Sequence, residues 1–226
     1  MKKTLLLLIV AGGYWLLLAR PGLYYDKSLE YRNFTLRARG ALPERADVVL
    51  DKVYDKISTS ELFAPDKKFY IYLPGGRNEF LFFTPLLNGT YARVNPFNGS
   101  VFIAAADFGA DRARTAPGAA EYRALSTELA GAAAREMARR AVKPFTYLIM
   151  SDWKLRGYSE LLSGGAGTYM PADICKGENP AMLDYKYGLA VEYALRVEGI
   201  SFNELLNKDY SYEKVAEGLK KMTCGG

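Results

Sequence analysis

Apolar positions follow three rhythms along this chain: unbroken at the start, short runs in the middle, and helical spacing from Gly118 onward. Tyr31 to Arg39 sets Phe34 and Leu36 between polar neighbours and predicts a strand. Pro43 opens a helix with Val48, Val49, Val53 and Ile57 on one stripe. Phe69 to Leu73 reads as a central strand closed by Pro74-Gly75-Gly76, and a short helix follows around Glu79 to Phe83. Strands at Thr90–Val94 and Ser100–Ala105 flank a turn that runs from Asn95 to Gly99. Helices are then expected over Ala119–Val142, Ser151–Leu162, Ala181–Val197, Phe202–Asn207 and Tyr212–Lys221. Strands mixed with helices, followed by helices alone, argue an α+β fold: a small N-terminal mixed sheet, then a helical lobe.

The unbroken apolar run needs its own account. Lys2 and Lys3 precede Thr4 to Ala19, which carry no charge. Cleavage at Ala11-Gly12-Gly13 would leave Tyr14 and Trp15 at a new terminus, and Arg20-Pro21 is a poor cleavage context. Residues 4–20 are therefore expected to be an uncleaved signal anchor, a transmembrane segment within 1–22. The domain of residues 23–226 would then lie outside the cytoplasm, with the membrane as a partner.

Composition narrows the chemistry further. The 226 residues contain no histidine, which excludes a Ser-His-Asp triad and every His-containing zinc site. Cys175 and Cys224 lie 49 positions apart, so a four-cysteine zinc site is excluded too; they form either one disulfide or two unrelated thiols. Net charge is +5, but the arginines are scattered among acids rather than gathered in a stripe, which argues against nucleic acid. The 17 tyrosines suit a half-wet groove or partner face.

Three segments of the helical half carry a family resemblance. Leu125 to Val142 reads LSTELAGAAAREMARRAV, Ser151 to Gly165 reads SDWKLRGYSELLSGG, and Tyr187 to Leu206 reads YGLAVEYALRVEGISFNELL. Taken together they resemble the peptidase-MA-like gluzincins, a family of zinc metallopeptidases. In the second segment Trp153, Lys154, Gly157, Tyr158 and Glu160 match the family's W-K-x-E-G-x-A-E-Y. The resemblance implies a zincin-like fold. It also places Gly131, Ala132 and Arg135 where the family carries His, Glu and His, and Arg156 where it carries the third ligand.

Those four residues depart from the family where the chemistry resides. Glycine and alanine offer no ligand, and an arginine stays protonated with no lone pair to give. Guanidinium groups would repel a divalent cation, so neither metal nor cofactor is expected. Arg135 and Arg156 would instead pair with Glu128, Glu136 or Glu160, or face the old cleft beside Trp153 and Tyr158 and hold an anion. The resulting expectation is a membrane-anchored, catalytically inactive peptidase relative that binds a peptide or protein through that cleft. The alternatives are a hydrolase with a metal-free or partner-completed active site, or a purely structural envelope domain. The glycine run Ser163 to Thr168 lacks the lysine of a phosphate loop and reads as a helix-ending turn.

Overall fold

A computed structural model describes residues 2–84, 90–165, 169–176 and 182–225. The chain divides into two units: Met1–Leu50 with Pro65–Leu125, and Asp51–Ala64 with Ser126–Gly226. The architecture is α+β, with a mixed sheet and helices first and a helical lobe after it.

The first unit begins with helix α1 (Lys2–Ala19) and a 3-10 turn at Pro21–Leu23, followed by strands β1 (Lys27–Tyr31) and β2 (Phe34–Ala38). Helix α2 (Ala46–Ile57) starts in this unit and ends in the other. Next come β3 (Phe69–Leu73), α3 (Arg77–Phe83), β4 (Ala92–Val94) and β5 (Val101–Ile103). These strands form one sheet in the order β1-β2-β3-β5-β4. Its three inner strands are parallel and both edge strands antiparallel, so β3 is central, as its apolar run predicts. A second sheet is built from β6 (Ala105–Asp107), β7 (Arg112–Arg114) and β8 (Arg123–Ala124). Phe102 stacks on Tyr72 and Phe83, with ring centroids 5.1 and 5.2 Å apart, in a buried cluster with Tyr25 and Phe80.

The expected anchor over residues 4–20 is corrected here: among the described residues no helix is long and apolar enough to cross a membrane. The uncharged part of α1 spans roughly 24 Å at 1.5 Å per residue, short of a hydrocarbon core of ~30 Å. Its last turns are also packed on protein. The Tyr14 hydroxyl donates to the Phe82 carbonyl at 2.9 Å, and Leu17 and Leu18 pack against the aromatic cluster. The side-chain amides of Asn95 and Asn98 cap the Leu18 carbonyl at 3.1 and 2.9 Å. The membrane partner and the extracytoplasmic placement that the anchor implied lose their basis with it.

The second unit carries α4 (Leu125–Ala141), α5 (Pro144–Leu148), α6 (Asp152–Ser163), a 3-10 turn at Pro171–Lys176, α7 (Leu183–Arg196), α8 (Phe202–Asn207) and α9 (Tyr212–Cys224). Ser201 caps α8 by accepting from the Glu204 N–H at 3.1 Å. Gly164 ends α6 in the left-handed conformation, with φ 65° and its N–H on the Glu160 carbonyl, so the glycine run does begin as a helix-ending turn. Residues 166–168 of that run, and the expected helix start at 181, lie outside the described residues. Cys175 and Cys224 are joined by a disulfide that ties the 3-10 turn to the end of α9. Beneath it Ile174, Met182 and Leu219 form a small core.

Helices α6 and α7 pack almost backbone to backbone. A Cβ on Gly157 would meet the Tyr187 carbonyl oxygen at 2.4 Å and a Val191 methyl at 2.7 Å. The substitution Gly157→Ala is therefore expected to destabilise the protein by ~3 kcal/mol, the upper end of overpacking, despite alanine's better helix propensity. Urea unfolding followed by circular dichroism measures this, and an unchanged midpoint would contradict the close approach.

Candidate functional site

The groove of interest belongs to the second unit and follows α6 and α7. Along α7, Tyr185, Gly188, Leu189 and Glu192 recur at helical spacing and so share one face. Opposite them α6 supplies Glu160, Leu161 and, at its end, Gly164. These residues and Tyr169 line a cavity of about 170 Å³. The glycine at 188 makes room for its neighbour, because the Glu160 Cγ would lie 3.0 Å from a Cβ placed there. Glu160 and Glu192 are both half-buried. Glu192 holds Arg196, one turn on, at 2.8 Å.

A second cavity of about 460 Å³ shares Leu161 and Glu192 with the first. It is bounded by Ser60, Glu61, Tyr158, Leu195, Ile200 and Phe202, among others. Tyr158 is stacked on Phe202, with centroids 3.5 Å apart and planes within 7°. Its phenol shares a hydrogen bond with the Ser60 hydroxyl. Burial pushes the Tyr158 pKa up to about 12, so the phenol stays protonated at neutral pH and can donate. Glu61 accepts the Asn203 N–H at 2.8 Å at the start of α8.

The positions named by the family resemblance are occupied as follows. Gly131 is buried in α4, where its carbonyl accepts from the Ser159 hydroxyl of α6 at 3.0 Å. A Cβ at 131 would meet that hydroxyl oxygen at 2.6 Å, so the position has no room for a larger side chain as it stands. Ala132 is fully buried, and Arg135 is half-buried. Arg156 turns the other way, to α7: its Nε donates to Asp184 at 2.6 Å, its Nη1 lies 3.9 Å from Asp152, and its guanidinium sits over the Tyr187 ring. The peptide or protein partner expected of that cleft gains no support from this geometry: Arg156 is engaged by Asp184 and Tyr187 of α7, and the Gly131 carbonyl by Ser159.

The three glutamates of the sequence reading separate. Glu136 is buried within α4 and held by Arg139 at 2.5 Å and Arg140 at 2.7 Å, three and four residues on. Glu128 is half-buried near the start of the same helix. Glu160 alone of the three lines the groove. Trp153 is buried, with its ring 5.8 Å from Tyr212. Among the described residues no cluster of three ligand-type side chains could hold a metal ion. Sequence reasoning missed Glu192, Tyr169, Tyr185 and Ser60. The shared face of Tyr185, Gly188 and Glu192 is the signal that could have found the first wall.

No known protein family matches the chain, nor does any curated protein or solved structure.

Lys154 of α6 is buried, and its ammonium donates to the Lys208 carbonyl at 2.7 Å. Burial lowers its pKa, with Asp209 opposing. Between that lowered value and the unfolded one near ~10.4 the unfolded chain binds more protons, so stability rises with pH across the window. Relative to Lys154→Met, the native chain should be least stable at neutral pH and recover as pH approaches ~10.5. Paired thermal melts from neutral pH upward check this; a gap that stays constant or widens with pH would contradict it.

Proposed function

We propose that this chain is a metal-free hydrolase that works in the α6–α7 groove, with Glu160 and Glu192 as its acid–base pair. One observation carries the proposal: a carboxylate from each helix lines the same small cavity, flanked by Tyr169 and Tyr185. A hydrolysis needs an acid for the leaving group and a base for the attacking water, and a carboxyl group can serve as either. Glu192, oriented by Arg196, is the base, and Glu160, lodged against Gly188, is the acid. The bond type that such a pair serves best is a glycosidic one, with tyrosine faces available to the sugar.

The metal-free character rests on residue chemistry. With no histidine in the sequence, and with glycine, alanine and two arginines at the positions the resemblance marks, a gluzincin metal site has no ligands. A zincin-like ancestry accounts for the W-K-x-x-G-Y-x-E run on α6, whose last residue is Glu160.

Turnover of aryl glycosides, with aryl esters as the comparison, tests the reading on the full chain. Hydrolysis should be indifferent to EDTA and fall by ~10²-fold or more in Glu160→Gln and in Glu192→Gln, with melting temperatures unchanged. No turnover of either substrate class would overturn the hydrolase and leave a structural domain. Loss of turnover on chelation would overturn its metal-free character.

A further inference from the structure

The first unit holds a cavity of its own, of about 200 Å³, where the ends of α1 and α3 meet β4 and the turn after it. Leu18, Phe83, Val94 and Phe97 give it apolar walls. Three of its lining residues are polar, and two of these are spent on the protein itself. The Thr84 hydroxyl donates to the Phe80 carbonyl at 2.7 Å. The Asn95 side chain donates to the Leu18 carbonyl at 3.1 Å and accepts the Phe97 N–H at 2.9 Å. Arg93 is the exception. It is half-buried, and among the described residues no hydrogen bond or ion pair engages its guanidinium. Arg93 lies opposite Phe102 in the antiparallel β4–β5 pair, so both side chains rise from one face of the sheet, the face on which Phe83 stacks.

We infer that this cavity binds a small aryl carboxylate, a single ring whose short arm ends in a carboxylate held by Arg93. The polar group left for a ligand is a cation, so the ligand carries an anion. A guanidinium meets a carboxylate through two parallel N–H donors, and a half-buried pair is screened less than one on the open surface. The rest of the wall asks for an apolar body. An apolar cavity of about 150 Å³ holds one benzene ring, so this one takes a ring with a short arm. Phe83 and Phe97 supply rings against which a guest ring packs. The proposal is independent of the α6–α7 groove, which belongs to the other unit.

Calorimetric titration of the full chain with hydrocinnamate tests it. The native protein should bind it saturably, and the ligand should raise the melting temperature. Hydrocinnamyl alcohol keeps the ring without the charge, and acetate keeps the charge without the ring. Each should bind ~10-fold or more weakly than hydrocinnamate. Arg93→Gln should cost hydrocinnamate ~10-fold or more and leave the alcohol's affinity unchanged. Because the guanidinium has no protein partner to lose, that variant should melt with the native chain when no ligand is present. Methyl resonances of Leu18 and Val94 should move on titration, and those of Leu161 and Leu189 in the other unit should not. No saturable binding, equal affinity for acid and alcohol, full affinity in Arg93→Gln, or shifts confined to the α6–α7 groove would each overturn the site. Tighter binding of octanoate than of hydrocinnamate would overturn the ring.

Discussion

The near contact of two helix backbones at Gly157 and Gly188 is the constraint on which the second unit depends. Gly157 lets α6 rest on the Tyr187 carbonyl, and Gly188 lets the Glu160 side chain lie across α7. With so little side-chain bulk between the axes, bulkier residues are displaced to the flanks, where Leu161, Leu189, Tyr169 and Tyr185 wall the groove. A groove so made is narrow and apolar, and any carboxylate that reaches it is partly stripped of water. Glu160 and Glu192 reach it from opposite helices. The disulfide between Cys175 and Cys224 and the core around Ile174 hold the outer wall, since Tyr169, Tyr185 and Leu189 pack on that core.

Around this contact the unit neutralises its buried charges in three ways. Glu136 is answered within its own helix by arginines at i+3 and i+4, both oxygens engaged. Arg156 is answered across helices by Asp184 and adds a ring contact with Tyr187, so it ties α6 to α7 rather than to α4. Lys154 is answered by a backbone carbonyl and a more distant carboxylate, and burial tells on its proton affinity. The difference follows from what each neighbouring helix offers, since charge at a position does not select its partner.

Periodicity carried most of the fold. The central strand at 69–73, α8 at 202–207 and the bodies of α4, α6 and α7 stand where apolar spacing places them. The misses have physical causes. Residues 27–31 and 34–38 are two strands of a hairpin, but the turn between them uses Arg32 at φ 48°, a conformation that arginine's composition does not signal. Helix α4 starts at Leu125 rather than Ala119, because Arg123 and Ala124 pair with β7 before the helix begins, a partner no local pattern reveals. The site was less legible. The family frame picked out Glu160 and Tyr158 on α6, but Glu192 and Ser60 join them only when α7 and the loop after α2 arrive in space.

The apolar run at the start shows how one composition serves two ends. A helix apolar on every side reads as a membrane span because nothing in the run distinguishes one face from another. What separates the faces is contact. The last turn gives its carbonyls to the amides of Asn95 and Asn98, almost 80 residues away in sequence, and its leucines to an aromatic core. Those amides sit in the Asn95–Gly99 turn between β4 and β5, so the edge of the sheet provides the cap that the helix C-terminus lacks. Beyond that end Leu5 to Val10 are each 61–69 % exposed, so contact tells the faces of α1 apart only in its last turns, where Tyr14, Leu17 and Leu18 dock.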